Sequence, residues 1–149
     1  MRHARFWIPV VFAVFVFAGL SALLARGLSG SGTERAKVLD VLRAQARGDA
    51  AAVLAELPAC REQPACAQTT TERVERSRAG GQVQILMYTP STRLALTRQI
   101  GTARVAWRAG TGLPEVQCVR VRREGPLSGG GVELLSISAP IARDGACQG

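Results

Sequence analysis

Twenty consecutive residues, Phe6 to Ala25 (FWIPVVFAVFVFAGLSALLA), carry no charge. As a helix rising about 1.5 Å per residue they reach roughly 30 Å, the thickness of a bilayer's hydrocarbon core. This stretch constrains the chain more than any other, because it predicts a transmembrane helix and makes everything after it an appendage. A secretory signal has a basic start, about 7–15 apolar residues and a small-x-small cleavage site. Arg2, His3 and Arg5 supply the start, but the apolar core is too long and Leu23 is a poor minus-three residue for a cut after Ala25. Gly27 with Ser29, or Ser29 with Ser31, would be acceptable, so a secreted product of cleavage stays the alternative to an uncleaved anchor.

Short flanks weigh most in setting orientation, and Arg2 and Arg5 favour a cytoplasmic tail over residues 1–5. The cysteines argue for the same orientation independently. Four of them, Cys60, Cys66, Cys118 and Cys147, lie in the roughly 120 residues beyond the apolar stretch, which in an exported domain reads as two disulfides. A metal site is disfavoured, since the only histidine is His3 and CREQPAC is too wide for a Cys-x-x-Cys knuckle. Cys60 with Cys66 and Cys118 with Cys147 is the favoured pairing. The rival pins the helical loop to the tail through Cys147. The expectation is a single-pass cell-membrane protein with its domain outside the cytoplasm.

The order of the chain follows. Residues 26–32 (RGLSGSG) read as a flexible linker, and 33–149 as one domain. Ser31 and Glu34 have capping-box spacing, so a helix is expected to start there and run through ERAKVLDVLRAQAR. Val38, Leu39, Leu42 and Ala46 would face inward, with Arg35, Asp40, Arg43 and Arg47 outward. Gly48 ends this helix, and Asp49 caps a second that stops before Pro58. A third is expected over about 65–79. Beyond Gly81 the apolar period becomes two. Strands are predicted at 82–88, 93–98, 103–109, 115–124 and 132–141, with a turn at Ile100-Gly101 and a glycine-rich turn over 125–131. Helices first and then an antiparallel meander is an α+β pattern.

The segments ARGDAAAVLAEL (46–57), IGTARVAW (100–107) and the closing hairpin CVRVRREG with VELLSISAPI (118–125 and 132–141) resemble the nuclear transport factor 2-like superfamily, the cystatin-like cones. The resemblance covers about residues 33–141 and is one of fold, not of chemistry. It implies a helical pair packed on a curved antiparallel sheet of about five strands. It also implies comparison with exported or membrane-tethered members from high-GC Gram-positive bacteria: lipoproteins, subunits of mammalian-cell-entry transport systems and scaffolds of conjugative secretion machines. Fold does not carry function in such superfamilies.

Catalysis finds little footing. Enzymes of the cone fold use His, Asp or Tyr inside the cone, whereas this domain has no histidine and one tyrosine, Tyr88. Glu115 and Glu133 fall on predicted strands, where solvated positions beside arginines are the ordinary reading. No serine has a usable histidine, and GPLSGGG lies between strands and so cannot cradle phosphate as a strand-to-helix loop does. No cofactor is expected.

The formal charge is +8, from nineteen basic residues, eighteen of them Arg, against eleven acidic. That bias fits a GC-rich genome better than phosphate binding. Arg104 and Arg108 on one strand and Arg120 and Arg122 on its neighbour form a possible basic contact face toward lipid headgroups, wall polymer or an acidic partner. A merely solvated face is the simpler reading. Nucleic acid is not expected, since no aromatics interleave with these arginines.

The leading expectation is therefore a membrane-anchored binding or assembly module. It would contact the lipid bilayer through residues 6–25 and an envelope protein through the domain. The alternative is a small-ligand carrier, or an isomerase- or dehydratase-like enzyme, using the cone interior. A cavity lined by Tyr88, Trp107 and a buried carboxylate would favour the alternative. A cone filled by Val, Leu and Ala would favour the module.

Overall fold

The computed structural model describes residues 3–91, 97–125 and 130–147; within the first helix, the side chains of residues 3–9, 23, 24 and 26–31 lie outside that description. The elements run α1 (His3–Arg47), α2 (Ala50–Ala55), α3 (Pro58–Arg61), α4 (Pro64–Arg76), β1 (Val83–Thr89), β2 (Gln99–Ala109), β3 (Glu115–Glu124) and β4 (Gly131–Ile137). The strands form one antiparallel sheet in the order β1-β2-β3-β4, so the α+β class and the meander are as the sequence predicts.

The helical segment departs from expectation in its continuity. Residues 26–32 are not a linker, and no helix starts at Ser31; α1 runs through the Gly/Ser segment as one helix of 45 residues. Each glycine there costs about 1 kcal/mol relative to alanine. Breaking the helix would leave four carbonyls and four amides without intrahelical partners and require a second nucleation. Strong helix formers on both sides make continuation the cheaper course.

The exit from α1 is the predicted corner. Gly48 takes φ of +73°, open to glycine without strain, and the Asp49 carboxylate accepts the Ala52 amide at 3.0 Å to cap α2. The third helix falls where its thin apolar face places it, as α4, with Thr70 and Val74 buried. Pro58 and Pro64 each sit in the first turn of a helix, where the missing amide costs nothing.

The predicted strand at 93–98 falls mostly on residues 92–96, outside the described residues, and the described sheet has four strands. Ile100 and Gly101 do not turn. They lie inside β2, which is 11 residues long and pairs along its length with β3, from Gln99 opposite Arg123 to Trp107 opposite Glu115. Gly101 serves a close approach instead. A Cβ there would meet the Ser91 carbonyl oxygen at 2.7 Å, so only glycine lets the chain after β1 lie against β2.

The helices cover one face of the sheet. Val38, Val41, Leu42, Val53, Leu57 and Val74 pack against Ala103, Val105, Trp107, Val119, Val121, Leu134 and Ile137 in a single aliphatic core. Val41 belongs to it although the expected inward set omitted it, and Leu39 is only half-buried. Both disulfides staple the margins: Cys60 bonds Cys66 across the α3–α4 loop, and Cys118 on β3 bonds Cys147 on the tail. This is the favoured pairing, and the rival connectivity is not adopted. The tail returns because the Ile141 amide bonds the Val116 carbonyl at 2.8 Å after Pro140 has turned the chain.

The apolar half of α1 packs against nothing described. Phe12, Phe15 and Phe17 are 70–74 % exposed, and Val10, Val11, Val14, Val16 and Leu20 are exposed with them. Among the described residues no helix is long and apolar enough to cross a membrane. The apolar run with described side chains, Val10–Ala22, is shorter than the roughly 20 residues a span requires, and the rest of 6–25 lies partly outside the description.

Candidate functional site

Two polar constellations stand out, at opposite ends of the domain's share of α1. The first is centred on Glu34, which is fully buried. Its Oε1 accepts from the Tyr88 hydroxyl and from the Ser91 amide at 3.0 Å. Its Oε2 accepts from the Ser91 hydroxyl at 2.8 Å and from Arg123 Nε at 2.6 Å. One carboxylate from α1 thus gathers the end of β1, the segment resting on Gly101, and the end of β3. Burial alone would raise the Glu34 pKa. The four donors outweigh it and hold the carboxyl below its usual range. Burial raises the Tyr88 pKa, and the adjacent Glu34 carboxylate raises it further.

This arrangement holds elements together and leaves the carboxylate unable to act as a base. Its lone pairs are occupied and its proton affinity is lowered, opposite to what a general base near neutrality needs. Arg123 is 4 % exposed, and its Nη2 is buried without an acceptor among the described residues. Sequence reasoning used Glu34 only as a helix cap and missed this role. The available signal was a glutamate on the inward side of a helix whose other inward positions are apolar.

The second constellation is a groove of about 870 Å³ where α1 ends, lined by Arg43, Ala46, Arg47 and the segment from Arg78 to Val83. Gly48 is needed here for space as well as for its backbone angle. A Cβ on it would lie 2.4 Å from Arg78 Nε, so the Arg78 guanidinium rests directly on the corner.

The four arginines expected to form a contact face do share the outer face of β2 and β3, but most are committed. Arg104 donates to the Arg143 and Gly145 carbonyls, the latter at 3.3 Å, and so binds the returning tail to the sheet. Arg122 pairs with Glu133 at 2.8 Å, the counter-charge expected of that glutamate. Arg108 donates to Gln84 Oε1 at 3.0 and 3.2 Å. Arg120 is exposed and has no ion pair among the described residues. Glu115 is a half-buried strand residue rather than a fully solvated one: it lies opposite Trp107 on the core side, with Oε2 buried and without a partner among the described residues.

The interior is closed by its own side chains. Trp107 is 2 % exposed and gives its indole N–H to Gln117 Oε1 at 2.9 Å. Tyr88 is held by Glu34, and aliphatic side chains fill the space between helices and sheet. No family model, curated protein or solved structure matches this chain.

Proposed function

We propose that the protein is a membrane-anchored binding or assembly module of the cell envelope, with a cone-type domain carried outside the cytoplasm on α1. The observation that carries this reading is the division of one helix. Its N-terminal half presents Phe12, Phe15 and Phe17 outward, and its C-terminal half supplies Val38, Val41 and Leu42 to the core. An exposed apolar surface of that extent calls for a lipid or protein cover. The two disulfides suit an oxidising compartment. The absence of a linker bears on mechanism. A continuous helix fixes the domain's orientation on its anchor, which suits a scaffold better than a tethered carrier.

The interior alternative draws on one observation. Both amide atoms of Gln45 and the Glu115 Oε2 are buried without partners among the described residues. Ordered water commonly serves such atoms, and the tied Tyr88 and Trp107 speak against a ligand chamber. Alkaline extraction of membranes, followed by crosslinking in intact cells, tests the proposal. The chain is expected to stay with the membrane and to capture an envelope protein. Release into the soluble fraction, or recovery of the uncrosslinked chain alone, would refute it.

A further inference from the structure

We infer that the groove at the end of α1 is an oxyanion site that takes a phosphate-bearing ligand, held by Arg47 and Arg78 with Arg43 at its edge. Three arginines line one concavity, and no carboxylate is among the described residues that line it with them. Arg43 shares an exposed contact with Asp40 at 3.2 Å. Arg47 and Arg78 have no ion pair among the described residues. Arg43 and Arg47, one turn apart near the C-terminus of α1, are favourably placed on the helix dipole. That accounts for two cations but not for Arg78, which arrives from the segment after α4. Arg78 has no ion pair with Glu72 or Glu75 of α4, and its guanidinium lies on Gly48, next to Arg47 in the chain. Like charges brought together this way, without a carboxylate between them, call for an anion.

The donors argue for phosphate rather than a single carboxylate. Each guanidinium offers five N–H groups in a planar fork, whereas a carboxylate has about four lone-pair sites in total. Gly80 and Gly81 line the same groove, and their amides donate to no backbone carbonyl among the described residues. At Gly80 the side-chain position is open, with nothing within 4 Å, whereas at Gly81 it is taken by the Gly110 backbone at 2.6 Å. A volume of about 870 Å³ exceeds a lone phosphate and suits a phosphorylated small molecule or one unit of a phosphodiester polymer. The site itself does not depend on the membrane anchor. Its assignment to a ligand away from the bilayer does rest on that reading: Arg47 lies about 33 Å along the helix from Ala25, several Debye lengths from a headgroup layer.

Calorimetric titration of the full chain in neutral detergent micelles with pyrophosphate, then inorganic phosphate, tests the site. Saturable binding is expected, weakened at least about tenfold by Arg47→Gln combined with Arg78→Gln. Arg108→Gln with Arg120→Gln, on the outer sheet face, should leave it within about twofold. Unliganded melting of each variant confirms that it is folded. Absence of saturation, or equal losses in both double variants, would overturn the site. Tighter binding of a glutamate-rich peptide, lost with the same pair, would overturn phosphate in favour of carboxylate. Micelles doped with phosphatidylglycerol should leave pyrophosphate affinity unchanged. Competition that disappears in the Arg47/Arg78 variant would overturn the soluble source in favour of a lipid headgroup.

Discussion

Glu34 and Arg47 stand thirteen residues apart on one helix, about 20 Å along its axis, and their surroundings are opposite. At Glu34 a buried carboxylate is met by four donors from three segments of chain. At Arg47 exposed arginines line a groove with no carboxylate among the described residues that line it. Both are polar clusters on an otherwise aliphatic frame, so polarity alone does not separate structural from binding roles. Saturation does. A group whose hydrogen-bonding capacity is met inside the fold orients the fold, and one whose capacity is unmet at the surface is available to a ligand.

The contrast breaks most sharply at Glu34. Glu34→Gln leaves Arg123 buried without its counter-charge and should cost about 3–5 kcal/mol in urea unfolding. Replacing both, Glu34→Leu with Arg123→Met, removes the buried charge altogether and should recover much of that loss. Equal destabilisation in the single and double variants would show that the carboxylate serves something other than this pair. The cluster also sets a dependence on pH. The folded Glu34 pKa lies below its unfolded value, so its contribution is present above the unfolded value and is lost as pH falls through the folded one. Acid unfolding followed by circular dichroism should therefore be steeper in the wild type than in Glu34→Gln.

The disulfide of the tail is next. Cys118 and Cys147 close a span of 29 residues, and replacing both with serine should cost about 3 kcal/mol. Because Arg104 holds the Arg143 and Gly145 carbonyls, the tail should stay partly protected from hydrogen exchange in that variant. Full exchange of the tail would assign its return to the bond alone.

The parts of this fold legible in the sequence are those where one local rule decides. The Gly48-Asp49 corner, α4, β1, β3 and the closing hairpin follow from caps, helix stops and period-two alternation. The meeting of Glu34, Tyr88, Ser91 and Arg123 was not legible. Its members lie 54 to 89 residues from Glu34, and each looks ordinary alone. Ser31-Gly32-Thr33-Glu34 matched a capping box so well that the local signal hid the tertiary one. Gly101 misled similarly, since a glycine demanded by close approach looks in sequence like one demanded by a turn. The arginine face was half legible: alternation put four residues on one side, but nothing local showed that the tail would take Arg104.

Tyr88→Phe is a milder probe of the buried end. It removes one donor to a charged acceptor and should cost about 1.5–3 kcal/mol. The folded Tyr88 pKa is raised above its ordinary 10.0, so its stabilisation is complete below pH 10 and fades as the unfolded chain ionises above it. With a single tyrosine in the chain, loss of stability above that pH should be blunted in Tyr88→Phe. An unchanged alkaline limb would mean that the hydroxyl contributes nothing through its proton.

The smallest effect on stability is expected at the groove, where it says most about the division between the two ends. Arg47→Gln with Arg78→Gln should shift the unfolding free energy by no more than about 0.5 kcal/mol, because both residues are exposed and neither has an ion pair among the described residues. A slight gain is reasonable from relieved repulsion, offset by the weaker complement to the α1 C-terminus. The two ends of α1 would then respond in opposite senses: Glu34 variants lower stability, while groove variants leave it alone and alter phosphate affinity. A loss of several kcal/mol at the groove would place Arg78 among the structural contacts that pack the Gly48 corner, and the groove would cease to be the uncommitted end of the helix.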